Sequence, residues 1–177
     1  MSFIQPVPMD QIADADLRDL IERCDAAGVP DARFGQILAH KPVQAKAALD
    51  VILHSHQEGD VDHRLKEIIR IQLARFAEDA YFASLRSKKA VALGMTEEMV
   101  EAGCGDYEDS AFFNEAEKCA LRFAEQMFLD ASKVDKAFYD EMKEHYSEAQ
   151  VMEIGSFIAI HYGVIKATRP LALGAVS

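Results

Sequence analysis

The stretch that decides the fold reads Asp62-His63-Arg64-Leu65-Lys66-Glu67-Ile68-Ile69-Arg70-Ile71-Gln72-Leu73-Ala74-Arg75-Phe76, then Glu78-Asp79-Ala80-Tyr81-Phe82-Ala83-Ser84-Leu85-Arg86, then Ala92-Leu93-Gly94-Met95-Thr96-Glu97-Glu98. Leu65, Ile69, Leu73 and Phe76 recur at the spacing of one helical face. Asp62 stands where a short acidic side chain can accept from the unpaired N–H groups of a first turn. The helical pattern continues through Leu85, Val91 and Leu93, with a break expected near Glu78, and Gly94 suits a left-handed cap at its end. Thr96 caps a further short helix with Glu97 and Glu98 in its first turn.

Outward from this stretch the pattern stays helical. Ile12, Leu17, Leu20 and Ile21 give an amphipathic segment ending at Gly28, with Pro30 as a stop signal beyond it. Phe34, Ile37 and Leu38 predict a short helix before Lys41-Pro42, and Ala45, Ala48, Leu49, Ile52 and Leu53 a longer one ending by Gly59. Asn114 with Glu117 and Ser147 with Gln150 are spaced as capping boxes and place two more helix starts. Val134 to Tyr146 predicts another helix, and Asp106 to Phe113 is the most loop-like interior stretch. Residues 1 to about 9 read as an extended, proline-containing arm. The expectation is an all-α bundle forming a single domain over 1–177.

Composition agrees with one core. The chain has 177 residues, 50% of them hydrophobic, and only five prolines, enough to bury a sizeable interior without a second unit. A net charge of -11 and no Lys/Arg stripe beyond Arg86-Ser87-Lys88-Lys89 argue against a nucleic-acid partner. Ile154 to Leu173 approaches membrane-spanning length but is broken by His161, Lys166, Arg169 and Pro170. It reads as a buried helix with a proline stop, and no membrane role is expected. Cys24, Cys104 and Cys119 are odd in number and far apart, so they form no disulfide framework. With no basic and apolar leader at the N-terminus, a cytoplasmic location is expected.

The helix of Glu67, the Glu78–Arg86 segment and the Gly94-Met95-Thr96-Glu97-Glu98 turn resemble the signature of the carboxymuconolactone decarboxylase and alkylhydroperoxidase D family. In its redox branch a helical glutamate precedes a Cys-x-x-Cys-x-x-x-His motif and a Gly-hydrophobic-Ser/Thr-Glu-Glu turn. Counting back from Gly94, Glu67 falls on the glutamate, Asp79 and Phe82 on the two cysteines, Tyr81 on a common aromatic and Arg86 on the histidine. The resemblance implies an AhpD-like helical bundle assembled as a homotrimer or homohexamer. It is strongest over Gly59 to Ala102, and the motif thiols are absent from it.

The resemblance implies that Glu67 shuttles protons, and desolvation beside Ile68, Ile71 and Ala74 would raise its pKa toward a useful value. The spacing fits equally a surface Glu67–Arg70 pair at i,i+3. Arg86 cannot accept a proton as a histidine does, but its planar fork can hold a substrate carboxylate; otherwise it joins Lys88 and Lys89 on a solvated face. Asp79, beside Glu78, reads as a substrate contact and acid/base partner of Glu67, or as a polar helix end. Tyr81 offers a phenol to a developing oxyanion, or packs as an aromatic. His161, in the most apolar helix, reads as a general acid or base, or as a core histidine with a satisfied ring.

Neither a metal nor a cofactor is expected. His54 and His56 at i,i+2 diverge, no His-x-x-x-His or Glu-x-x-His pair is present, and Gly103 and Gly105 make no phosphate loop. Three functions remain open. The first is a cofactor-independent lyase or isomerase acting on a small lactone or carboxylic acid. The second is a thiol peroxidase or disulfide reductase, which would need Cys104 or Cys119 to take over from the missing motif thiols. The third is a non-catalytic oligomer that binds a ligand, in which Gly155, Ser156, Ala159 and Gly163 permit close helix packing within or between subunits.

Overall fold

The computed structural model describes residues 2–171 and 173–174; Met1, residue 172 and residues 175–177, at the ends of the expected 1–177 span, lie outside the described residues. Ten α-helices and no strand occur among the described residues: α1 (Ala15–Ala27), α2 (Ala32–Leu38), α3 (Pro42–Gln57), α4 (His63–Phe76), α5 (Ala80–Ser84), α6 (Lys88–Ala92), α7 (Glu97–Cys104), α8 (Glu115–Leu129), α9 (Lys136–His145) and α10 (Glu148–Thr168). The expected all-α bundle is the observed one. Both capping boxes form, at Asn114 with Glu117 and at Ser147 with Gln150. The N-terminal segment is tied to the bundle, with Phe3 N–H donating to Leu171 O at 3.1 Å and Val7 N–H to Gln36 O at 3.0 Å, before a 3-10 turn at Met9–Gln11.

One helix lies at the centre. α4 packs on α3, α5, α6, α7, α8 and α10, and every residue from Leu65 to Ala74 is buried. A helix with apolar and polar faces normally turns the polar one to water. Here Lys66, Glu67, Arg70 and Gln72 face other helices instead, so each needs a partner inside the protein. Lys66 Nζ donates to Glu153 Oε1 at 2.9 Å and to Ser55 O at 3.2 Å, and Gln72 Nε2 to Gly103 O at 3.3 Å.

The segment after α4 departs from the expected helix with a single break. It breaks twice, leaving two helices of five residues each. At the first break Glu78 takes a left-handed conformation with φ 53°, and Asp79 caps α5 by accepting from Phe82 N–H at 3.0 Å. At the second, Ser87 caps α6 by accepting from Ala90 N–H at 3.3 Å. Gly94 ends the segment at φ 93°, the left-handed turn expected of it.

The expectation for Ile154 to Leu173 needs a correction on one side. α10 buries Ile154, Phe157, Ile158, His161 and Ile165, but Met152, Ser156, Ala159, Gly163 and Ala167 are exposed. The helix ends at Thr168, before a turn containing Pro170. Among the described residues no helix is long and apolar enough to cross a membrane.

Candidate functional site

The centre of the bundle holds a closed polar cluster. Glu67, on the second turn of α4, has no exposed surface. Its carboxylate accepts from Arg70 Nε at 2.8 Å and Nη2 at 2.9 Å, and from the Ser87 backbone N–H at 2.7 Å. His56 Nε2 lies 3.0 Å from Glu67 Oε2, a close charge contact without the alignment of a good hydrogen bond. The Arg70 guanidinium also donates to Phe82 O, and to Leu85 O at 2.8 Å. Glu67 and Arg70 thereby hold the α5–α6 segment onto α4.

Three imidazoles gather around this ion pair. His56 comes from the last turn of α3, His63 from the start of α4 and His161 from the middle of α10. His56 stacks on His63 with ring centres 4.6 Å apart and meets His161 edge-on at 5.9 Å, while Phe157 packs on His161 at 4.2 Å. His63 Nε2 is 2.7 Å from Ser87 Oγ. That oxygen also accepts from Ala90 N–H, so Ser87 ties the His63 ring to the cap of α6. Neither His161 nitrogen, nor His63 Nδ1, has a hydrogen-bond partner among the described residues.

Burial, the largest single influence on Glu67, would raise its pKa, but the charge and hydrogen bonds of Arg70, joined by His56, outweigh burial and hold the carboxyl well below its usual range. The expected upward shift is thus reversed: Glu67 is a fixed anion. Desolvation first, then His56 and Lys89, push His63 down to about 4. Desolvation and the charges of His56 and Arg70 likewise lower His161. Both rings are neutral near pH 7; Lys66 acts to lower both, with Lys89 at His63 and Arg70 at His161, while the Glu67 carboxylate opposes them.

Of the five residues singled out in the sequence, the structure brings Glu67 and His161 into one cluster and puts the other three elsewhere. Tyr81 is buried between Phe34 and Phe82 and donates its hydroxyl to Asp31, so its phenol is already committed. Asp79 accepts from Phe82 N–H on one oxygen and from Thr168 Oγ1 at 2.8 Å on the other; it is the polar helix end, tied to α10. Arg86 makes a two-point contact with Glu97, at 2.8 Å from both Nε and Nη2, and donates to the Ala83 and Leu85 carbonyls. Its donors are occupied by the protein. The Glu67–Arg70 pair suggested by spacing exists, but in the core instead of on the surface.

His56, His63, Arg70 and Ser87 complete the cluster and were not singled out as catalytic. One signal for His56 was available: it continues the stripe Leu49, Ile52, Leu53 at helical spacing, and that stripe faces the core. The cysteines lie outside the cluster's contacts. Burial raises Cys24 to about 12, and Cys104 and Cys119 to about 11, and all three are free.

No family model matches the sequence, and no curated protein does. Solved structures do match. The debrominase Bmp8 superposes with a TM-score of 0.85 at 21% identity, covering 100% of this chain and 94% of that one. A Cys-to-Ala variant of Bmp8 in complex with 2,3,4-tribromopyrrole gives 0.82 at 22% identity, over 97% and 90%. An alkylhydroperoxidase AhpD core, an uncharacterized peroxidase-related protein from Ralstonia eutropha, gives 0.78 at 18%, over 96% and 91%. At these identities the likeness shows the fold: the chain has the AhpD-like all-α architecture over essentially its whole length.

Proposed function

We propose that this AhpD-like chain is a cofactor-independent acid/base catalyst of small carboxylic acids or lactones, resembling the decarboxylase branch in chemistry, with an imidazole doing the proton transfer. The observation that carries this reading is the fully buried Glu67 carboxylate with His56 Nε2 3.0 Å away. A fixed anion beside an imidazole orients the ring, so His56 is the proposed proton carrier and Glu67 the group that positions it. Proton transfer by a positioned imidazole is worth about 100- to 10,000-fold in rate. His161 and His63, both held neutral, are candidates to stabilise or relay charge.

Arg86 is committed to Glu97, and Lys89, whose charge acts on His63, is the cation proposed to draw an anionic substrate to the cluster in its place. The cluster approaches solvent at His63, which is 6% exposed. Thiol chemistry has less support, because the motif positions hold Asp79 and Phe82, and burial raises the pKa of all three cysteines. A second reading rests on the same closure: by binding the Phe82 and Leu85 carbonyls, the ion pair serves as a structural clip in a non-catalytic protein.

The experiment is proton exchange in D2O, followed by NMR on a panel of small unsaturated acids and lactones. The wild type is expected to place deuterium next to the carboxyl or lactone carbonyl. His56→Gln, which keeps a donor near Glu67 but cannot carry the proton, should lose at least about 100-fold of that rate with its circular dichroism unchanged. Equal exchange by His56→Gln and wild type, or none by the wild type on any compound, would leave the clip.

A further inference from the structure

We propose that residues 87–94, which contain α6, form a strap over the histidine cluster that is released when His63 takes up a proton. Buried apolar side chains anchor the chain on either side: Leu85, whose carbonyl Arg70 holds, and Met95. Between them only Ser87 and Ala90 are buried, while Lys88, Lys89, Val91 and Leu93 face water. A five-residue helix has no stability of its own in water, and one alanine side chain contributes little by burial. The strap, which lies on α1 and α4, is therefore held down mainly by polar contacts.

The buried contacts converge on one residue. The Ser87 N–H donates to Glu67 Oε1 at 2.7 Å, and its hydroxyl oxygen lies 2.7 Å from His63 Nε2. Two further contacts are exposed: Lys88 Nζ donates to Asp25 O at 3.2 Å and Lys89 Nζ to Gln57 O at 2.9 Å. Exposed hydrogen bonds are replaced by bonds to water at little net cost, so the two contacts of Ser87 decide whether the strap stays closed. One of them ends on a titratable ring.

Proton uptake by His63 opposes closure. Burial of the ring is the largest influence against the charged form. Of the groups that face it, His56 of α3, Lys89 of the strap and Lys66 of α4 also disfavour a positive charge there, and Glu67 favours one. Glu67 is already committed to Arg70 and to the Ser87 N–H. From α10, Glu153 pairs with Lys66, and His161 faces His56. Lifting the strap returns the His63 ring to water and draws Lys89 away from it, so proton binding favours the open form. Opening uncovers His63 and, stacked on it, His56. Acid thus controls access to the cluster, whether the cluster catalyses a reaction or serves as a clip.

Hydrogen exchange of individual amides, followed by NMR at pH 7.5 and pH 5, tests the proposal. The Ser87 N–H, bonded to Glu67, and the Ala90 and Val91 N–H groups, bonded within the strap, report its opening. The His63 pKa is about 4 in the closed form and roughly 6.5 for a ring in water. Protection factors of these amides should therefore fall about 30-fold across this range. They should stay below those of Ile69 and Leu73 in α4 at both pH values, the mark of local opening. His63→Gln should remove the fall. His63→Phe, which keeps a ring stacked on His56, decides the matter should His63→Gln lose its helical circular dichroism. Strap protection that is the same at both pH values, a fall as large in the folded His63 variant as in the wild type, or strap amides as protected as those of α4 would overturn the proposal.

Discussion

Glu67 stays ionised without any exposed surface because Arg70 gives it two donors, Ser87 an N–H and His56 a nearby ring. Such a pair gains little over an apolar core, but removing one member leaves the other as an uncompensated buried charge. Glu67→Gln should therefore destabilise the protein by about 3–5 kcal/mol, read as a fall in the urea midpoint. Adding Arg70→Met to it should recover most of that loss. If the double variant is as unstable as the sum of the two single ones, the two side chains do not act as a pair. The pairing itself was legible at i,i+3. Its burial was not, since spacing fixes which residues share a helix face and is silent on what covers that face.

Among the elements, α5 and α6 show how local signals give way to tertiary ones. Tyr81, Phe82 and Leu85 keep an apolar rhythm that suggests continuation from α4, but the chain turns at Glu78 so that Phe82 can pack on Phe34 and Asp79 can reach Thr168. Glu78 at φ 53° bears a cost that glycine does not, and its pair with Arg169 is exposed and worth little. Glu78→Gly is expected to be more stable than Glu78→Ala by about 1 kcal/mol, the reverse of the order inside a helix. Asp79→Ala loses the α5 cap and the bond from Thr168 and should cost about 2 kcal/mol. Thermal melts of the three variants check both, and an Asp79→Ala protein as stable as wild type would count against the capping assignment.

For the whole molecule the histidine cluster fixes a pH dependence. His63 and His161 have folded pKa values below the roughly 6.5 of an unfolded imidazole. Between those values the unfolded chain binds more protons than the folded one, so stability rises with pH there. The contribution is complete above about pH 6.5 and is lost as pH falls toward the folded value, about 4 for His63. Glu67, whose folded pKa is also depressed, adds a loss of the same sign at still lower pH, through the carboxylate range. The urea midpoint should thus fall between pH 7.5 and 5, before most carboxylates titrate, and less steeply in His161→Phe. A midpoint that holds constant down to pH 5 would mean that these rings are not buried as neutral groups.

The sequence by itself determined the helices, their caps and the bundle. Asp62, Ser147 with Gln150, Asn114 with Glu117 and Gly94 act within one turn of the backbone they terminate, and the apolar spacing of α1, α3 and α4 needs no distant partner to be read. It also determined that the motif thiols are absent. Only the tertiary structure decided the site, because the cluster is assembled from α3, α4, α10 and the cap of α6, whose members are separated by up to the whole span from His56 to His161. Packing alone turned the polar side of α4 inward, committed Arg86 to Glu97 and Tyr81 to Asp31, and left one side of α10 open. Hydrogen-bond partners and burial are properties of neighbouring helices in space, and periodicity along a single helix does not contain them.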